Sequence, residues 1–172
     1  MEKIPTPEVP KLTMKDAYVL LGASTPLELN TLYDREDQKL MQGQAWDYNN
    51  PDLTINKVKR ILEKVDATTL SGEEKEWRNN ILWFWNHHAI SCAVWRYKDQ
   101  QAAQQFSEQA LKFQSDDHPN QITKLLFFLT HGELDLAEEW LLQINDKVEK
   151  ETAEYLIDTY KRGGFYIEQL PS

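Results

Sequence analysis

Apolar side chains recur three and four residues apart along most of this 172-residue chain, and that spacing constrains the fold more than any other feature. It places the apolar positions on one face of an α-helix. The clearest runs are Leu29, Leu32, Tyr33 and Leu40; Ile55, Val58, Ile61, Leu62 and Val65; Leu125, Phe128 and Leu129; and Leu134, Ala137, Leu141 and Ile144. No run of alternating β-branched residues indicates a strand. The sequence therefore predicts an all-α fold.

Helix boundaries can be read from capping residues and glycines. Ser71 and Glu74 have the spacing of a capping box. Thr25 and Glu28 have the same spacing, with a proline at the first helical position, so Thr25 is also a predicted N-cap. Further predicted N-caps are Thr54, Asp99 and Asp146. Predicted helix ends lie at Gly22, Gly43, Gly132 and the pair Gly163 and Gly164, because glycine accepts the left-handed backbone. About eight helices follow from these signals.

The domain organisation follows from the prolines and from the length of the chain. Pro5, Pro7 and Pro10 predict an extended leader over residues 1–12, because proline lacks the amide donor a helix needs. A chain of this size forms one domain. We expect a single all-α domain over residues 13–172, with N-terminal helices at 13–70, helical hairpins at 71–162 and a tail at 163–172. The longest loop, 43–53, should be held to the body by Trp46 and Tyr48.

Charge and cysteine content narrow the function classes. The net charge is −9 and the basic residues are scattered, which opposes binding to nucleic acid or anionic membranes. No run of apolar residues is long enough to span a bilayer. The single cysteine, Cys92, cannot form an intramolecular disulfide, so we expect a cytoplasmic protein. No cofactor or metal is predicted.

The aromatic stretch at residues 80–97 is the most unusual part of the sequence. On a helix starting at Ser71, one stripe contains Trp77, Ile81, Phe84, Trp85, His88, Cys92 and Trp95, and a second contains Trp83, His87, Ile90, Val94 and Tyr97. A helix that is apolar on two faces lies between other helices. We therefore predict that this stretch is the central helix of the fold.

Two chemical hypotheses start from His88 and Cys92, which lie one helical turn apart. They could share a metal, but a tetrahedral site needs at least a third protein ligand, and His118 and His131 lack the spacing to supply it. They could also form a nucleophilic dyad. A thiol beside tryptophans in an apolar stripe should have a raised pKa, which favours an inert cysteine. The sequence therefore predicts no catalytic residue and no enzyme.

A repeat appears when the chain is shifted by 34 residues. Ala103 then aligns with Ala137, and Phe106 aligns with Trp140. This period and the small residue at the packing position resemble the tetratricopeptide repeat, over about residues 84–162. The resemblance departs from the family pattern in that Ser115 and Glu149 occupy the positions of the closing proline. It implies antiparallel helix pairs in a right-handed superhelical stack, with the helices of residues 13–70 as an N-terminal extension.

The resemblance also implies a function, a non-enzymatic module that binds a peptide or helix of a partner protein as adaptor, assembly factor or chaperone. Its groove would be lined by Trp85, His88, Cys92, Trp95, Ile122, Leu126 and Leu129. The other interpretation, which we favour, is that the N-terminal helices fill this groove and make it core, because large exposed apolar surfaces are uncommon. A small acidic inhibitor or immunity-type protein that blocks a basic site is the alternative function. Homo-oligomerisation stays open.

Overall fold

The computed structural model describes residues 11–41, 46–114 and 120–163, and these ranges confirm the all-α prediction. The helices are α1 (Met14–Leu21), α2 (Pro26–Met41), α3 (Thr54–Glu63), α4 (Gly72–Ser91), α5 (Gln100–Phe113), α6 (Gln121–Thr130), α7 (Leu134–Leu141) and α8 (Lys147–Gly163). A 3₁₀ turn at Ala67–Thr69 precedes α4. The only extended pairing in these ranges is the bridge between Leu12 and Val65.

Side-chain caps fix most helix starts where the sequence predicts them. At α4, the Ser71 hydroxyl accepts a hydrogen bond from the Glu74 amide at 3.2 Å. The Glu74 carboxylate accepts one from the Ser71 amide at 3.1 Å. Asp99 and Asp146 cap α5 and α8 as predicted. Thr54 is not a cap, because α3 already includes it and Leu53 holds the cap position without a side-chain hydrogen bond.

Glycines end two of the helices as predicted. Gly22 follows α1 with φ 68°, and Gly132 separates α6 from α7 with φ 74°. Both lie in the left-handed region, which is strained for residues with a Cβ. Gly163 is the last residue of α8, whereas Gly43 and Gly164 lie outside the described residues, as do most of the predicted leader and tail.

The first of two hydrophobic clusters, the N-terminal core, is rich in aromatic side chains. Its buried members are Met14, Ala17, Ala23, Leu29, Tyr33, Trp46, Ile55, Val58, Leu62, Val65, Ile81, Leu82, Trp85, Ala89 and Phe113. Helices α2 and α3 pack on α4 here. The loop preceding α3 contributes Trp46, as predicted, while Tyr48 packs on the cluster from its edge.

The second cluster, the C-terminal core, is built from aliphatic and small residues. Its buried members are Ile90, Ala93, Val94, Ala103, Ala110, Ile122, Leu125, Leu126, Leu129, Ala137, Ile144, Ala153 and Ile157. Successive helices pack on one another from α4 to α8, and α6 also packs on α8. Alanine at the contacts lets neighbouring helices approach closely. None of the described helices has the length and apolar character needed to cross a membrane.

The end of α4 differs from the sequence prediction. The chain does not stay α-helical to Tyr97 but forms a π-helical turn over Cys92–Arg96. In that turn the Tyr97 amide donates to the Cys92 carbonyl at 3.0 Å, five residues back. Lys98 follows with φ 52°, a left-handed conformation that is uncommon for lysine. The wider turn changes the direction of every side chain after Cys92.

Candidate functional site

Trp85, the centre of the predicted groove, lies deep in the N-terminal core and is 2% exposed. Its indole Nε1 donates to Asn56 Oδ1 at 2.9 Å. The Trp46 ring meets it edge-on, with centroids 5.4 Å apart, and Lys59 Nζ lies 4.3 Å from the centroid of the Trp85 ring. These neighbours come from α3 and from the loop before it, so the N-terminal half of the chain encloses Trp85.

Asn56 holds this part of the fold together through four hydrogen bonds. Its Oδ1 also accepts from Trp46 Nε1 at 3.2 Å, and its Nδ2 donates to the carbonyls of Asp47 at 2.9 Å and Asn50 at 2.7 Å. The side chain is buried, and both its oxygen and its nitrogen have partners. Asn56 thereby ties the loop to α3 and α4, a role that nothing in the sequence pattern marked.

The seven residues predicted to line a groove do not share one open surface. Trp85 belongs to the N-terminal core, and Ile122, Leu126 and Leu129 are buried in the C-terminal core. The other three remain near the surface. His88 and Cys92 are partly exposed, and Trp95 is 42% exposed. Exposure therefore rises along the stripe from Trp85 to Trp95.

His88 is paired with a carboxylate from another helix. Its Nδ1 lies 3.1 Å from Asp37 Oδ1 of α2, and Phe84 packs against its ring with a centroid distance of 4.6 Å. Among the described residues no group of three histidine, cysteine or acidic side chains could hold a metal ion. The contact joins α2 to α4 and fixes the orientation of the imidazole ring.

Cys92 has the character predicted for an inert thiol. Burial raises the pKa of its thiol, and the nearby positive charge of Arg96 offsets this only in part. A thiol with a raised pKa is protonated at neutral pH and is a poor nucleophile. A nucleophilic dyad of His88 and Cys92 would need the opposite shift.

His87 lies on the other stripe of α4 and stacks on Trp83, with centroids 5.2 Å apart. Its Nδ1 is buried, and no partner for it exists among the described residues. Burial lowers the pKa of His87 to about 4, with a further contribution from neighbouring His88. His87 is therefore neutral at physiological pH.

The most exposed aromatic residues near the predicted site lie on the Trp95 turn, which we define as residues 95–98. Tyr97 is 38% exposed, and its ring meets Tyr48 edge-on with centroids 5.0 Å apart. The Tyr97 hydroxyl and the Arg96 guanidinium each lie 3.4 Å from the Trp46 carbonyl. The turn is thus tied to the loop that fills the N-terminal core.

Sequence reasoning placed Trp95 on the same stripe as Trp85 and missed the turn that separates them. The signal that could have marked the region is the cluster of tryptophan, arginine, tyrosine and lysine at 95–98, directly before the Asp99 cap. Comparison of the chain with protein-family models, with curated proteins and with solved structures found no significant match.

Proposed function

We propose that this protein is a non-enzymatic binding module and that the Trp95 turn is its main contact surface for a partner protein. The observation that carries the proposal is the exposure of Trp95 and Tyr97 on an anchored turn. Tryptophan, tyrosine and arginine are the residues that most often dominate the energy of protein interfaces. The turn presents all three in consecutive positions.

Anchoring of the turn favours binding because less conformational freedom is lost when a partner arrives. Three contacts of Tyr97 restrict the backbone of the turn before a partner binds. They are the π-helical hydrogen bond to Cys92, the edge contact with Tyr48 and the position of the hydroxyl beside the Trp46 carbonyl. Lys98 lies 5.7 Å from the centroid of the Trp95 ring and adds a positive charge at the edge of the surface.

The helix packing of the C-terminal half supports a role as an interaction module. Helices α4 to α8 pack in chain order, as antiparallel pairs of a tetratricopeptide-like array would. Trp83 Nε1 donates to Thr123 Oγ1 at 3.1 Å, which links α4 to α6. Such arrays bind other proteins rather than catalyse reactions, and the raised pKa of Cys92 agrees with a non-catalytic role. A cytoplasmic setting is part of the proposal.

The test compares partner capture by three forms of the protein. Immobilised wild type, Trp95→Ala and Leu27→Ala are exposed to lysate of the source cells, and retained proteins are quantified. Leu27 is a matched control because it is also exposed and apolar but lies on α2. We expect Trp95→Ala to lose the retained partner and Leu27→Ala to keep it. Equal retention by all three forms would contradict the proposal.

The acidic inhibitor is a second candidate function, favoured by the net charge of −9. Salt dependence separates it from the first. Binding through the Trp95 turn should persist as ionic strength rises, since apolar contacts are not screened. A complex held by surface carboxylates should weaken steeply over the same range.

A further inference from the structure

Helix α3 carries positive side chains on the face that points away from the fold. Lys57, Arg60 and Lys64 are exposed and follow one another at intervals of three and four residues, so they lie along one side of the helix. Lys64 is the C-cap residue of α3. Val58 and Leu62 lie on the opposite side and are buried in the N-terminal core. We call the three exposed cations the α3 basic stripe.

The α3 basic stripe has no carboxylate partner within the described part of the chain. Its two lysines form no ion pair there, and the Arg60 guanidinium donates to the Pro51 carbonyl at 2.9 Å, an acceptor without a net charge. The acidic residue of α3, Glu63, is paired with Lys59 at 2.8 Å. Helix α3 and its C-cap therefore carry four basic residues against one acidic residue, and the three charges of the stripe are not neutralised by it.

The stability of α3 itself does not account for this arrangement. Like charges three or four residues apart destabilise a helix, and the stripe has two such pairs, Lys57 with Arg60 and Arg60 with Lys64. Positive charge is favourable near the C-terminal end of a helix, where Arg60 and Lys64 lie, whereas Lys57 is near the N-terminal end. No acidic residue in the first turn offsets Lys57. A bound group with negative charge would relieve this repulsion.

Charge indicates what would bind to the stripe. The whole chain carries a net charge of −9, so most of its surface would repel a large polyanion such as nucleic acid. A short acidic segment would respond mainly to the local positive charge, because salt screens charges that are more than about 8–10 Å away. The stripe spans seven residues, which is about 10 Å along a helix. Three or four residues of an extended peptide cover about that length.

We propose that the α3 basic stripe is a docking site for a short acidic segment of another protein. Carboxylates of that segment would lie opposite Lys57, Arg60 and Lys64. The hydrogen bond to Pro51 already restricts the Arg60 side chain, which lowers the entropy that binding costs. The site is distinct from the Trp95 turn and does not depend on the proposed function.

The experiment uses the full chain and a short labelled peptide in which glutamate alternates with serine. The control peptide replaces every glutamate with glutamine. Fluorescence anisotropy at about 20 mM and about 150 mM salt measures the affinity of each peptide for wild type and for two variants. The first variant is Lys57→Gln/Lys64→Gln. The matched control is Lys147→Gln/Lys150→Gln, which removes the same charge from exposed lysines of α8.

We expect wild type and the α8 variant to bind the glutamate peptide with similar affinity at the lower salt concentration. The α3 variant should bind it about tenfold more weakly or worse. Higher salt should weaken binding by wild type more than binding by the α3 variant, because fewer exposed charges then remain to be screened. Circular dichroism of each form confirms that the variants are folded.

Four results would overturn the proposal. Equal losses in the α3 and α8 variants would mean that only net charge matters, and equal binding of the glutamine peptide, or no binding by wild type, would mean that carboxylates are not recognised. A single-stranded oligonucleotide is the second probe, and its tighter binding through Lys57 and Lys64 would favour nucleic acid instead. Self-association in sedimentation that requires these two lysines would favour a second copy of the chain.

Discussion

The N-terminal and C-terminal cores are packed from different kinds of side chain. The N-terminal core buries large aromatic rings and needs hydrogen bonds for their indole nitrogens, which Asn56 accepts. The C-terminal core buries alanines at helix contacts, and the polar side chains buried beside it are small hydroxyls such as those of Ser107 and Thr130, which lie 2.9 Å apart. One core therefore depends on a few irreplaceable side chains, and the other depends on close approach of helices. The two should respond to mutation in opposite ways.

The largest effect is expected at the centre of the N-terminal core. Trp85→Ala should lower the free energy of unfolding by about 3–5 kcal/mol, because it removes the most voluminous fully buried side chain and leaves a cavity. Urea denaturation followed by circular dichroism measures the loss. Trp95→Ala is the matched control and should change the stability by less than about 1 kcal/mol. Similar losses in both variants would contradict the assignment of Trp85 to the core.

The polar part of the same core gives the next largest effect. Asn56→Leu should cost about 2–4 kcal/mol, because the indole donors of Trp46 and Trp85 and two backbone carbonyls lose their buried partner. Thermal unfolding monitored by tryptophan fluorescence tests this. Asn50→Leu is the control, since the Asn50 side chain accepts a hydrogen bond from the exposed Asp52 amide and lies outside the buried network. A neutral effect of Asn56→Leu would show that the loop does not need this anchor.

The contrast between the two cores also explains which features of the fold could be predicted from the sequence. Helix starts at Ser71 and Asp99 and the helix end at Gly132 were predictable, because capping and left-handed turns depend on a few adjacent residues. Periodicity placed Ala103 and Ala137 at helix contacts, where both are buried. Whether the helices form a tetratricopeptide-like superhelix stays a prediction.

Sequence reasoning was less successful where distant segments meet. Periodicity put Trp85 and Trp95 on one face, because it assumes an unbroken α-helix. The π-helical turn adds a residue to the winding, so the stripe changes direction and Trp95 reaches the surface. The bond between Asn56 and Trp85 spans 29 positions and has no local pattern. Whether the predicted groove would be core or surface could not be decided from spacing alone.

The C-terminal core should be sensitive to added volume instead of lost volume. Ala103→Leu and Ala137→Leu should each lower the stability by about 1–3 kcal/mol, because the fully buried methyl leaves no room for a longer side chain. Gln105→Leu, on the exposed side of α5, is the control. Urea denaturation measures all three. Comparable losses at positions 103 and 137 would support the 34-residue repeat, whereas a loss at only one of them would contradict it.

The smallest expected effect on stability concerns His87. Its ring stacks on the Trp83 indole, and that indole packs against both cores. Burial lowers the pKa of His87 to about 4 in the folded protein, below its ordinary value of 6.5. The unfolded chain therefore binds a proton that the folded chain excludes at intermediate pH, so stability falls as the pH drops from about 6.5 to 4 and levels off below that. Because the ring is partly exposed, we expect a loss of about 1–2 kcal/mol.

Replacement of the ring isolates this contribution from those of the other titrating groups. His87→Phe keeps the stack on Trp83 but cannot take up a proton, so its stability should decline less than that of wild type between pH 6.5 and 4. Urea denaturation at several pH values gives the two curves. His131→Phe is the control, because that histidine lies at the end of α6 and pairs with Glu108. If stability declined with pH equally in wild type and His87→Phe, the prediction would be wrong. Protonated His87 would then be tolerated at the boundary between the cores, with its Nδ1 hydrogen-bonded to water.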